Sequence, residues 1–190
     1  MDLALAHFLN ELGRGVIDPF TDGLCAVPLL VALWIAVLVL AVRLDPENGR
    51  RVAAVVLVAV VLHFVISEGV LKHLILTELP MRVRPYLAHP DLIQPVGHRF
   101  TDSSFPSSHA ASTAAIVTVL GHAYRRYAAA GGLFALAMCL SRVHNGMHYP
   151  TDVLAGSALG VAYGALAIAA MGVVARRRAA VAVETVRERE

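Results

Sequence analysis

Residues 24–42 read LCAVPLLVALWIAVLVLAV, with no charged or amide side chain among them. As a helix at ~1.5 Å per residue the stretch covers about 28 Å, close to the ~30 Å hydrocarbon core of a bilayer. Four more apolar runs follow, at 52–71, 110–123, 127–140 and 153–175. The third and fourth are shorter than the ~20 residues a span usually needs, but the Arg125-Arg126 turn joins them like a helical hairpin, so both count as spans. Residues 1–21 are too short to cross. Leu5, Leu9 and Leu12 recur at helical spacing beside Phe8, with Gly13 as a stop, which predicts an amphipathic interfacial helix. Met1-Asp2 is not the basic start of a cleaved signal. Residues 80–107 contain Pro80, Pro85, Pro90, Pro95 and Pro106, so they form a loop outside the hydrocarbon. The expected fold is all-α: an integral membrane bundle of five spanning helices plus the N-terminal interfacial helix, a six-helix layout.

Composition agrees. Of 190 residues 57% are hydrophobic and only 16% charged, against about 25% charged in an ordinary soluble domain; mean hydropathy is +0.66. Such a chain is neither disordered nor soluble, and it lacks the basic stripe of a nucleic-acid module. Cys25 and Cys139 lie inside apolar runs and make no disulfide framework. Arg43, Arg50 and Arg51, then Arg125 and Arg126, then Arg176, Arg177 and Arg178 fall on one side when five spans alternate. That side is the cytoplasm by the positive-inside rule, with the tail at 179–190. The N-terminal helix, the proline-rich loop and the turn at 141–151 share the outer side.

Polar residues gather at that outer side. Arg51 to Lys72 is about 31 Å of helix, whereas His109 to Arg125 and Arg126 to Arg142 are about 24 Å each. Lys72, His109, Arg142 and Asp152 therefore converge at the outer ends of four helices, recessed below the surface. A recessed cationic pocket with two histidines suits a phosphate carried on a lipid. Three local patterns sharpen this. Phe105-Pro106-Ser107-Ser108-His109 leads into an apolar helix, and a serine-capped N-terminus is a ready anion site. Ser141-Arg142, five residues, His148, three residues, Asp152 brackets Pro150, which suits the first turn of a new helix. A carboxylate there can hold one imidazole N–H and leave the other nitrogen to attack. Arg82-Val83-Arg84-Pro85 is a basic patch suited to a headgroup. His63 and His122 read as core residues, and His73, His89 and His98 as interface or loop groups. His144, His148 and Asp152 mimic metal-ligand spacing, but Pro150 interrupts the helix that would align them.

Together these pieces resemble the type 2 phosphatidic acid phosphatase superfamily of membrane lipid phosphatases. Its signature is a lysine, six residues, Arg-Pro; then Pro-Ser-Gly-His; then Ser-Arg, five residues, His, three residues, Asp. The third piece is complete at Ser141, Arg142, His148 and Asp152. The second is present at Pro106, Ser107 and His109, with Ser108 in the glycine position. In the first, Arg84-Pro85 fits, but Thr77 holds the lysine position, and Lys72, the only lysine, stands further upstream. The resemblance implies one phosphatase domain over residues 1–190 that works without metal or cofactor. His148 would be the nucleophile, Asp152 its orienting partner and His109 the acid and then base. Lys72, Arg84, Ser107, Ser108 and Arg142 would bind the phosphate. Partners would be the bilayer and a lipid phosphate, with no nucleic acid. Among members the chain looks most like bacterial undecaprenyl-diphosphate phosphatases of the plasma membrane, with an outward-facing site. Phosphatidylglycerol phosphate, phosphatidic acid and lipid A phosphates are the alternative substrates. A lipid-phosphate binding or transport protein without turnover is the rival of another class.

Overall fold

The computed structural model describes residues 1–75 and 81–187, with side chains at 1–71 and 81–177, and every regular element among them is helical. The side chain of Lys72, and Thr77 altogether, lie outside the described residues. In chain order the helices are α1 (Asp2–Glu11), α2 (Asp18–Cys25), α3 (Val27–Leu44), α4 (Pro46–Leu62), α5 (Pro85–Ala88), α6 (Ser108–Ala123), α7 (Ala128–His144) and α8 (Pro150–Arg187). A π-helical stretch, His63–Ile75, continues α4, and a single 3-10 turn, Arg125–Tyr127, joins α6 to α7.

Proline in the first turn opens α2, α3, α4 and α5, and Pro150 opens α8. The missing N–H is harmless there because the first turn has no intrahelical acceptor for it. Asp45 caps α4 by accepting the Asn48 N–H at 3.3 Å. The helix therefore starts at Pro46, well before the apolar run at 52–71. The expected single N-terminal helix is two, α1 and α2, parted by Gly13 and Gly15 at φ of 67° and 79°. Beyond the last apolar run, residues 179–187 continue α8.

Among the described residues three segments are long and apolar enough to cross a membrane: Val27–Leu44, Pro46–Leu71 and Pro150–Arg177. Helices α6 and α7, of 16 and 17 residues, pack beside them. On α3 only Leu30 is buried, while Leu29, Leu33, Ile35, Val39 and Leu40 face outward. An outer surface of leucine, isoleucine and valine needs lipid as its solvent, and the protein is a membrane protein.

The tightest seam lies between α6 and α8. Gly156 on α8 meets Ser107 at the cap of α6, and Gly160 and Gly164 meet Ala111 and Ala115 on α6. A Cβ at Gly160 would lie 2.1 Å from the Ala111 carbonyl oxygen, and one at Gly156 2.4 Å from that of Ser107. Backbone approach this close is open only to glycine. Val52, Val55, Val56 and Ala59 of α4 complete a core with Ile116, Val119, Tyr163 and Ala167. The seam sets the first turn of α6 against the first turn of α8, where the Ser107 N–H donates to the Asp152 carbonyl at 3.1 Å.

Candidate active site

Helix α7 ends with Ser141, Arg142 and His144, and the chain reverses at Gly146 (φ 71°). A Cβ at Gly146 would also lie 2.8 Å from the Ile93 side chain, so the turn demands glycine twice over. Met147, His148 and Tyr149 then cross the end of the bundle before Pro150 starts α8. This short path brings His148 back onto Arg142.

His148 is 3% exposed. Its Nδ1 lies 2.7 Å from the Ser104 carbonyl oxygen, a contact that needs the ring hydrogen on Nδ1. Nε2 then carries the lone pair and faces Arg142 at 3.2 Å and Arg84 at 3.4 Å. Burial, then the Arg142 and Arg84 guanidiniums, hold the imidazole well below its ordinary pKa of 6.5. Arg84 is itself anchored, donating to the Asp102 carboxylate at 2.7 Å and to the Met147 carbonyl at 3.1 Å. Both guanidiniums lie over the Phe100 ring, Arg84 at 5.3 Å and Arg142 at 5.6 Å from its centroid. The buried Arg142 Nε has no hydrogen-bond partner among the described residues.

Asp152 was expected to hold the His148 ring. Its Oδ2 is 3.9 Å from Nδ1, beyond hydrogen-bond reach. Instead Oδ2 accepts the Tyr149 N–H at 2.8 Å, and Oδ1 accepts from Arg82 at 2.7 Å. A fully buried carboxylate needs a cation and an N–H, and the ring hydrogen is already on the Ser104 carbonyl.

The other expected site residues are divided. His109, in the first turn of α6, faces the same cavity and places Nε2 3.1 Å from the Cys25 carbonyl. Ser108 lines it too, with its hydroxyl donating to the Glu68 carboxylate. Ser107 is fully buried and is not among the lining residues. His144 joins α7 to the N-terminal helices, bonding to the Leu9 carbonyl and the Asp18 carboxylate, each at 2.8 Å.

The cavity holds about 520 Å³. One end is polar, formed by Glu68, Arg84, Asp102, Ser108, His109, Arg142 and His148. From there it runs along α3 and α4 between Leu30, Trp34, Leu38, Val56, Val60 and Ile116. Sequence reasoning missed Phe100, Asp102 and Ser104. Their one signal was a place just upstream of Phe105-Pro106-Ser107 in the proline-rich loop.

Residues 49–176 match the family model of the PAP2 superfamily. The chain belongs to the PAP2 superfamily. The matched span contains every residue of the cavity's polar end, whereas Cys25, Leu30, Trp34 and Leu38 precede it. This PAP2 protein is 36% identical over 125 residues to a decaprenylphosphoryl-5-phosphoribose phosphatase of Mycolicibacterium smegmatis, over 65% of this chain and 62% of that one. It thus spans less than two thirds of that relative's length. It is 27% identical over 157 residues to the bacitracin transport permease protein BcrC of Bacillus licheniformis, over 82% of this chain and 73% of that one. Two solved structures share its fold. Aquifex aeolicus LpxE gives a TM-score of 0.65 at 21% identity, over 88% of this chain and 94% of that one. A PAP2-type phosphatidylglycerolphosphate phosphatase from Bacillus subtilis gives 0.62 at 22%, over 88% and 83%.

Proposed function

We propose that this PAP2 protein is a phosphatase for a phosphate group carried on a long isoprenoid lipid. The observation that carries this is the two-ended cavity. Its basic end suits a tetrahedral anion, and its apolar walls suit a hydrocarbon chain entering between α3 and α4 from the bilayer.

In the proposed reaction Nε2 of His148 attacks the terminal phosphorus, and its bond to the oxygen that links it to the rest of the lipid breaks (the bridging oxygen in a diphosphate). Phosphohistidine forms, and His109 delivers a proton to the leaving oxygen. His109 then takes a proton from water as the water attacks the phosphohistidine, releasing inorganic phosphate and free His148. With Nε2 of His109 on the Cys25 carbonyl, proton transfer runs through its Nδ1. Arg84 and Arg142 meet charge developing on the equatorial oxygens. Ser108 supplies a hydroxyl, and Lys72 is a further candidate ligand from the sequence. Asp152 acts at one remove, by fixing the Tyr149 N–H and the loop that bears His148. Neither this ligand set nor the proposed chemistry calls for a metal.

We place five helices across the membrane, α6 and α7 included, with the site outward and the arginine clusters inside. Undecaprenyl diphosphate is the favoured substrate. A phosphate monoester on a polyprenyl-linked ribose is the second reading, favoured by the 36% identical relative named for such an ester.

The test is phosphate release by the purified protein from a panel. It comprises undecaprenyl diphosphate, a decaprenylphosphoryl phosphoribose, phosphatidylglycerol phosphate, phosphatidic acid and a lipid A phosphate. One polyprenyl substrate should lead, and His148→Ala should lose on the order of a thousandfold in rate. Release that survives His148→Ala removes the nucleophile, and binding without release by the unmutated protein makes it a carrier. Val60→Trp, which narrows the apolar half, should raise KM for the polyprenyl substrate several-fold while leaving that of a short-chain phosphate unchanged. An equal effect on both would remove the tail from the cavity.

A further inference from the structure

The end of the bundle opposite His148 holds another cavity, of about 940 Å³, between the start of α4, the end of α6 and residues 168–176 of α8. His109 and His122 stand in the first and last turns of α6, so the two cavities are about 20 Å apart along that helix. The opening follows from the seam that builds the active site. Gly156, Gly160 and Gly164 draw α8 onto α6, but the next position of that stripe is Ile168. At Gly172, one step further, a Cβ would meet Arg176 Nη1 at 3.6 Å and no atom of α6 within 4 Å. The two helices part there, and side chains rather than backbones face the space.

The wall has two halves. Asn48 and Arg51 of α4, His122 of α6 and Arg176 of α8 form a polar rim, and no carboxylate lines it among the described residues. Neither guanidinium stands in an ion pair among those residues. Next to the rim, Val55, Val119 and Ile168 carry an apolar surface toward the middle of the bundle. Past the cavity the chain runs on as helix to Arg187, so its described backbone does not fold back to cover the opening.

We propose that this cavity binds an anionic glycerophospholipid, with Arg51, His122 and Arg176 meeting the headgroup phosphate and the apolar wall taking the start of an acyl chain. Cations drawn from three helices without a carboxylate among them call for an anion, and basic pockets between spanning helices are suited to lipid headgroups. A free phosphate ion would leave the apolar half exposed to water, whereas a lipid covers both halves. With the arginine clusters inside, as proposed above, the lipid comes from the cytoplasmic leaflet. It bridges α4, α6 and α8, so its binding stabilises the folded bundle by mass action.

The experiment is thermal unfolding of the full chain in nanodiscs of phosphatidylcholine, and of phosphatidylcholine mixed equally with phosphatidylglycerol. Phosphatidylglycerol is a diester and offers no terminal phosphate to the active site. The discs present the same lipids to both faces, and the measurement needs no turnover, so neither the orientation nor the phosphatase reading enters the result. Phosphatidylglycerol should raise the unfolding temperature by several degrees, and Arg51→Gln with Arg176→Gln should lose most of that rise. Arg50→Gln with Arg177→Gln removes the same charge from the same end without touching the cavity wall, and should keep the rise. Gly172→Leu leaves both cations in place and fills the space, and it should lose the rise as the first pair does. The absence of a rise in the unmutated protein overturns the proposal. Equal losses in the two arginine pairs, or a full rise in Gly172→Leu, replace the cavity with diffuse surface charge and overturn it too. Inorganic phosphate is the last arm: stabilisation by it that disappears in Arg51→Gln with Arg176→Gln would make this a site for the free ion and overturn the lipid.

Discussion

An imidazole that is to attack phosphorus must keep one nitrogen bare beside the cations that bind the phosphate. At His148 the Ser104 carbonyl takes the Nδ1 hydrogen, and burial with Arg142 and Arg84 disfavours a second proton. This has a consequence for stability. Unfolded, the residue takes up a proton near pH 6.5; folded, it resists protonation until far lower pH. Between the two, the unfolded chain binds more protons, so stability rises with pH and is lost as pH falls below about 6.5. Thermal unfolding in detergent should therefore drop by several degrees from about pH 7 to about pH 5, and His148→Gln should flatten that slope. An unchanged slope in the variant would mean that other groups set it. The Ser-Arg-x5-His-x3-Asp spacing was legible because it is local: a helix end, a glycine turn and a proline start. Which oxygen takes the ring hydrogen was not, because Ser104 and Arg82 come from a loop 44 and 70 residues from their partners. The same holds for Glu68. Four residues from Lys72, it read as a helical neighbour of that lysine, yet it also accepts from Ser108, 40 residues on.

The helices were found where their apolar centres lie, but their ends moved. Polar residues 46–51 form the start of α4, and the run at 110–123 begins at Ser108, because first-turn residues need no apolar side chain. The π-helical winding at His63–Ile75 has no counterpart in the hydrophobic pattern, since a run that is apolar on most sides fixes no pitch. The α6–α8 seam was legible only as composition. Glycines four residues apart show their purpose once the Ala111 carbonyl lies against Gly160. Gly160→Leu should wedge α6 away from α8 and carry His109 off the site. The cost should be about 1–3 kcal/mol of stability and most of the activity, read by thermal unfolding and phosphate release. Gly132→Ala on α7 meets nothing within 4 Å and should be neutral or gain about 0.5–1 kcal/mol. Equal losses in both would place the cost outside the seam.

The bundle is closed at the site end by its N-terminus. Asn10, fully buried, donates to the Gln94 carbonyl at 2.9 Å and the His144 carbonyl at 2.5 Å, and accepts the Gln94 N–H at 3.0 Å. It ties α1 to the proline-rich loop and to the end of α7 at once. Asn10→Leu keeps the volume but strands those backbone groups. Stability should fall by about 1–3 kcal/mol and proteolysis of the loop should quicken; an unaltered unfolding temperature and loop would deny α1 that role.

By itself the sequence determined the solvent of this protein, the approximate places of its helices and the residue types of its site, because hydrophobic runs, prolines and motif spacings act over short range. Tertiary structure alone decided which groups face each other. It gave Asp152 to Arg82, Ser104 to His148 and Ser108 to Glu68, and it let α6 settle on the glycines of α8. Those pairings are set by which backbones can approach and which buried charges must be met, and neither condition is written in any one stretch of chain.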